Sequence, residues 1–114
     1  MNTFNEVIKL VKTSNSTVIL TGAGISTESG LPDFRSDKGF WVKNKPIQFN
    51  EFLLSEEKQR LSWERNIELH SLLKSIEPNI GHSFVEKIIG LQKNNFLITQ
   101  NIDGLHQKSG INKN

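Results

Sequence analysis

Thr17-Val18-Ile19-Leu20, followed at once by Thr21-Gly22-Ala23-Gly24-Ile25-Ser26-Thr27, is the stretch from which the fold of this chain is read. The four residues before Thr21 are β-branched or aliphatic. They are too few for a helix and lack polar alternation, which predicts a strand covered on both faces. Residues 21–27 pack small side chains and hydroxyls into one turn. Gly22 and Gly24 let the main chain approach an anion closely, and successive backbone N–H groups, with the positive end of a helix beginning near Ser26, can point at a pyrophosphate. Ser26, Thr27, Asp33 and Arg35 add polar side chains that a connection serving only the core does not need.

Phe96-Leu97-Ile98-Thr99 is the second strand-like run, and it also ends in a polar cluster, Gln100-Asn101-Ile102-Asp103-Gly104. Two polar clusters at the ends of two apolar strands define one candidate site. Around the strands, Phe4, Val7, Ile8 and Val11 recur at helical spacing, and Gln48 to Leu54 reads as a short helix. Ser55-Glu56-Glu57 opens a longer helix running to about Ile76, with Leu61, Leu69, Leu72, Leu73 and Ile76 as its apolar positions. Phe84, Val85, Ile88 and Ile89 mark a further helix, and Gly104 to Ser109 one or two helical turns. Leu31 to Pro46 reads as a long loop holding Phe34, Phe40 and Trp41. The order of elements predicts an α/β fold with a parallel sheet flanked by helices. The sequence closes at Ile111-Asn112-Lys113-Asn114, where a third strand would be due, so the expected sheet is partial and incomplete at the C-terminus.

Composition narrows the function classes. The net charge of +2 arises from 14 basic and 12 acidic residues without a basic stripe, which argues against nucleic acid as a partner. No apolar run approaches the ~20 residues that cross a bilayer, and the N-terminus lacks a signal-peptide plan, so no membrane partner and a cytoplasmic location are expected. Cysteine is absent, which excludes a disulfide or a thiolate metal site within these residues; no metal ligands are predicted.

A dinucleotide fingerprint would require glycine at position 27, where threonine stands. The longer pattern is more specific. Gly22-Ala23-Gly24-Ile25-Ser26-Thr27-Glu28-Ser29-Gly30-Leu31-Pro32-Asp33-Phe34-Arg35-Ser36 and Thr99-Gln100-Asn101-Ile102-Asp103-Gly104-Leu105-His106 both resemble signatures of the sirtuin family, the NAD-dependent protein lysine deacylases. Gly39-Phe40-Trp41 and the Pro78-Asn79-x-x-His82 motif resemble family positions between them. The resemblance implies a Rossmann-like sheet and NAD as co-substrate. It implies that Gly22, Ala23, Gly24, Ser26 and Thr27 lie against phosphate and ribose, with Asp33 in the same loop, Arg35 adding a fixed positive charge and Phe34 covering the nicotinamide ribose. Ile25, Asn101, Ile102 and Asp103 would form the nicotinamide pocket, with Gln100 by the ribose and Asn101 and Asp103 as the catalytic candidates. The implied partner is an acyl-lysine protein, and the implied reaction is transfer of the acyl group to ADP-ribose.

Residues 1–114 resemble the N-terminal part of such a domain. The family's catalytic histidine, followed by glycine, lies beyond the Gln-Asn-Ile-Asp cluster and has no counterpart here. The cysteines of its structural zinc module and the C-terminal half are also absent, so zinc is expected of a full-length member only. The isolated chain is expected to be inactive alone. His70 reads as a surface residue, and His82 and His106 as braces for packing or a turn. The alternatives are NAD hydrolysis or mono-ADP-ribosyl transfer in the same pocket, or a non-catalytic nucleotide-binding fragment. The lack of any tyrosine removes the Tyr-x-x-Arg pair that some sirtuins use for acidic acyl groups, which disfavours succinyl and malonyl substrates.

Overall fold

Val18–Thr21 (β1) and Phe96–Thr99 (β2) pair in parallel, Val18 opposite Phe96 and Thr21 opposite Thr99. A computed structural model describes residues 2–33, 36, 39 and 44–112 of the chain. The ladder extends past both ends of the strands. Phe96 N–H donates to the Thr17 carbonyl at 2.9 Å and Gln100 N–H to the Thr21 carbonyl at 3.1 Å. At the entry side Asn95 is a buried clamp: its Oδ1 accepts from Thr17 N–H, and its Nδ2 donates to the Ile88 carbonyl. Two strands that start together and run the same way therefore also finish together, which fixes where their polar ends lie.

Parallel strands need a crossover, and the helices supply it. Before β1 comes α1, Thr3–Thr13, whose first turn is capped by Asn2. After β1 a 3₁₀ helix, Ala23–Ser29, ends at Gly30. Next are α2, Phe49–Leu54, and α3, Glu56–Ser75. The helix α4, Ile80–Leu91, leads into β2, and α5, Leu105–Lys108, follows it. Ser55 stops α2 and caps α3, accepting from Lys58 N–H, while Glu56 and Glu57 occupy the positive end of α3. Gln59 then donates to the Phe52 carbonyl, tying the two helices across their corner.

The helix α4 begins four residues ahead of the apolar repeat that marks it. Asn79 accounts for this: its Oδ1 accepts from Gly81 N–H at 2.8 Å, and its own N–H donates to His82 Nδ1 at 3.1 Å. Its Nδ2 reaches back to the Ile25 carbonyl and to Ser29 Oγ, joining α4 to the 3₁₀ helix. Gly81 permits this approach, since a Cβ there would meet Asn79 Oδ1 at 3.0 Å and Ile25 Cγ1 at 3.2 Å. On the opposite side Lys108 of α5 donates to the Ile76 carbonyl at the end of α3 and pairs with Glu77 at 2.8 Å.

Among the described residues the buried apolar side chains are Ile76, Val85 and Leu105, and the buried polar ones are Thr21, Ser26, His82, Asn95 and His106. One sheet face, Ile19, Thr21, Leu97 and Thr99, is buried or half-buried, with His106 of α5 bonded to Thr21. The other face, Val18, Leu20, Phe96 and Ile98, is more than half exposed at every position. The two-sided cover expected for the strands is thus met on one side. The radius of gyration is 17.8 Å, against roughly 13 Å for a compact domain of about this size.

Leu105 is fully buried and Leu54 is 88% exposed. Leu105→Ala is expected to lower unfolding free energy by about 2–5 kcal/mol in urea titrations, whereas Leu54→Ala should stay within about 0.5 kcal/mol of the parent.

Candidate functional site

Because β1 and β2 end in register, the glycine-containing turn after Thr21 and the polar cluster after Thr99 emerge side by side. Asn101 Nδ2 donates to the Gly22 carbonyl at 2.9 Å, and Ser26 Oγ donates to Asp103 Oδ2 at 2.6 Å. Asp103 is held from its other oxygen as well: Gly104 takes a left-handed φ of 72°, and Leu105 N–H turns back to donate to Asp103 Oδ1 at 3.0 Å. The two clusters border a hollow of about 400 Å³. Ala23, Ser26, Gln100, Asn101, Ile102 and Asp103 line one side of it.

Beneath the hollow runs a chain of hydrogen bonds with a defined direction. Asn79 N–H donates to His82 Nδ1, so a neutral His82 carries its proton on Nε2. Nε2–H donates to Ser26 Oγ at 3.3 Å, and Ser26 O–H donates to Asp103. Each donor in the series points toward the carboxylate, an alignment in which neighbouring bonds polarise one another. Burial pushes His82 below the usual imidazole range, with the Asp103 charge opposing. His106 stands against His82 with ring centroids 5.1 Å apart. Thr21 Oγ1 donates to Thr99 Oγ1 and accepts from His106 Nε2–H at 2.8 Å. Among the described residues, His106 Nδ1 is a buried acceptor without a partner. His106 is also held low, by burial first and by His82 second, against Asp103.

The predicted site residues divide. Ala23, Ser26, Gln100, Asn101, Ile102 and Asp103 meet at the hollow. Ile25 instead lies against Gly81 at the start of α4, with its carbonyl held by Asn79. Thr27 Oγ1 donates to the Gly24 carbonyl, and Asp33 accepts from Ser36. Among the described residues, a Cβ built at Gly22 or Gly24 meets nothing within 4 Å. Phe34 and Arg35, with Phe40 and Trp41, fall outside the described residues. The helix expected near Ser26 starts earlier, at Ala23, and is a 3₁₀ helix.

The rest of the lining, Leu31 and Pro32 of the first motif apart, is made of residues that the sequence motifs do not mark. It comprises Leu31, Pro32 and Ile47 with Ser62, Arg65, Asn66, Leu69 and Leu73 of α3. Apolar spacing alone assigns Leu69 and Leu73 to a core-facing stripe, yet they border the hollow. The signal that separates them is the shared face: positions 62, 65, 66, 69 and 73 follow one helical stripe that mixes apolar and polar side chains.

Comparison with known proteins gives consistent findings. The model of the Sir2 family matches residues 22–114. NAD-dependent protein deacetylase 1 of Bradyrhizobium diazoefficiens is 42% identical over 102 residues, which cover 90% of this chain and 40% of that protein. NAD-dependent protein deacylase sir-2.2 of Caenorhabditis elegans is 38% identical over 112 residues, 96% of this chain and 39% of that protein. A solved Sir2 homologue in complex with ADP-ribose aligns at a TM-score of 0.82 with 32% identity, over 94% of this chain and 43% of its own. The chain spans about 40% of the length of the curated relatives it matches.

His82 and His106 both hold their protons more weakly folded than at the ordinary imidazole value of 6.5. The unfolded chain therefore takes up protons first as pH falls below 6.5, and the stability present above that value is lost on the way down, by up to about 1.4 kcal/mol per pH unit for each imidazole. The melting temperature should drop between pH 7.5 and 5.5, and the drop should be smaller in His82→Gln. A His82→Gln profile as steep as the parent's would remove His82 from the titration.

Proposed function

The chain belongs to the Sir2 family, and on that premise we propose that it acts in NAD-dependent removal of acyl groups from protein lysines, an acyl transfer to ADP-ribose carried out in the cytoplasm. The observation that carries this reading is the hydrogen bond of Ser26 to Asp103, both lining the hollow, which joins the two clusters. The names of the relatives support it, as does the ADP-ribose held by the similar solved structure.

The residues fit a pyridine nucleotide. Backbone N–H groups at Gly22, Ala23 and Gly24 suit an anion, and among the described residues nothing crowds the Cβ direction of either glycine. Asp103 offers a carboxylate to a carboxamide N–H, with Ile102 beside it for an aromatic ring and Gln100 and Asn101 for ribose hydroxyls. Asn101, anchored to the Gly22 carbonyl, also holds the two clusters at a fixed separation. Ser26 and His82 act through Asp103: their aligned bonds keep the carboxylate oriented as an acceptor. Thr27 and Asp33 shape the loop by bonding within it, and Ile25 sets its distance from α4. Arg35 and Phe34 keep the roles that the family resemblance gives them. NAD, when bound, supplies the glycosidic bond whose cleavage drives acyl transfer.

Calorimetric titration with NAD and with ADP-ribose tests this. Asp103→Asn should weaken NAD by about tenfold or more through loss of a charge-assisted hydrogen bond, while ADP-ribose, which lacks the carboxamide, changes little. Failure of the parent to bind either nucleotide, or an equal loss for both in the variant, would overturn the assignment. Release of nicotinamide without any acyl-lysine peptide would favour NAD hydrolysis instead.

A further inference from the structure

Asn79 does more than a helix cap requires. Its Oδ1 accepts from Gly81 N–H at 2.8 Å, which opens α4, and a serine, threonine or aspartate oxygen would serve that bond as well. Its Nδ2 faces the other way, donating to the Ile25 carbonyl at 2.8 Å and to Ser29 Oγ at 2.9 Å. A primary amide carries an acceptor at one corner and two N–H donors at the other, and here both donors are used. The Ile25 carbonyl belongs to the peptide that leads into Ser26, whose hydroxyl donates to Asp103 at 2.6 Å. The join between this loop and α4 is tight, since a Cβ at Gly81 would meet Ile25 Cγ1 at 3.2 Å. The glycine end of the same loop is tied separately: Asn101 Nδ2 holds the Gly22 carbonyl, and Thr27 Oγ1 holds the Gly24 carbonyl.

We propose that Asn79 is a positioning residue for the carboxamide end of the site: its two N–H bonds hold the peptide joining Ile25 to Ser26 at the distance from α4 at which Ser26 Oγ reaches Asp103. The proposal rests on the deacylase reading and adds to it a division of labour within one loop. Without those donors the peptide before Ser26 is free to shift, while the ties at Gly22 and Gly24 remain. Carboxamide recognition by Asp103 then weakens, and phosphate recognition does not. His82 cannot take over the task. It meets Ser26 through a single N–H at 3.3 Å and is itself seated by the Asn79 backbone N–H, a bond that a side-chain substitution leaves in place.

Asn79→Asp and Asn79→Ser each keep a capping oxygen for α4 and remove both amide donors, so they separate the cap from the loop anchor. Calorimetric titration of the full chain should show NAD weakened about three- to tenfold in both variants, with ADP-ribose within about twofold of the parent. Ser29→Ala removes one acceptor and leaves the cap and the Ile25 bond untouched; it should weaken NAD alone by about twofold, and it carries the test if the Asn79 variants do not fold. Because Asn79 acts through Ser26 on Asp103, Asn79→Ser should cost NAD affinity little more once Asp103→Asn is in place, a non-additivity that a purely structural role would not produce. Unchanged NAD affinity in Asn79→Ser, equal loss of NAD and ADP-ribose, or losses that add across the two positions would each overturn the proposal and leave the deacylase reading intact. A parent that binds neither nucleotide would end both.

Discussion

The parallel, in-register pairing of β1 with β2 is the constraint on which the site depends. With Thr21 opposite Thr99, the turn beginning at Gly22 and the cluster beginning at Gln100 start at the same height. Slipping the pairing by one residue would displace one cluster by about 3.3 Å and turn every strand side chain to the other face. The 2.6 Å bond between Ser26 and Asp103 could not survive that, nor could the contact of Asn101 with the Gly22 carbonyl. Asn95 guards the register from the entry side, because its amide satisfies Thr17 and Ile88 together.

Directly under the site the interior is polar. His82, Ser26, Thr21 and His106 are buried together, and apart from His106 Nδ1 their side-chain polar atoms are satisfied. A network of this kind contributes little net stability per bond but selects one arrangement, since each misplaced partner would leave a buried donor or acceptor unmade. Asn79 shows how far the selection reaches. One residue caps α4, sets the His82 tautomer and holds the Ile25 carbonyl, so the helix start and the loop geometry cannot vary independently.

Much of this is legible in the sequence, and the parts that are not have physical reasons. Both strands, their parallel order and the convergence of the two clusters follow from short apolar runs ending in polar turns; β1 runs Val18–Thr21, one residue later than its apolar run, because Thr21 stays paired with Thr99. The start of α4 at Ile80 is hidden because its first turn rests on the Asn79 cap and carries no apolar repeat of its own. The wall formed by α3 is hidden for the opposite reason. Leu69 and Leu73 obey helical periodicity, and periodicity alone does not separate a side chain that faces protein from one that faces a hollow. His82 and His106, read as braces, do brace, but only the folded arrangement reveals that His82 does so by aligning Ser26 on Asp103.

The uncovered side of the sheet has a thermodynamic consequence. Unfolding raises heat capacity mainly through newly wetted hydrocarbon. Val18, Leu20, Phe96 and Ile98 already meet solvent in the native state and so add little to that change. The stability curve of these residues, taken by themselves, should therefore be shallow in temperature, with a small denaturant slope for a chain of 114 residues. Any surface that came to rest on those four side chains would steepen both.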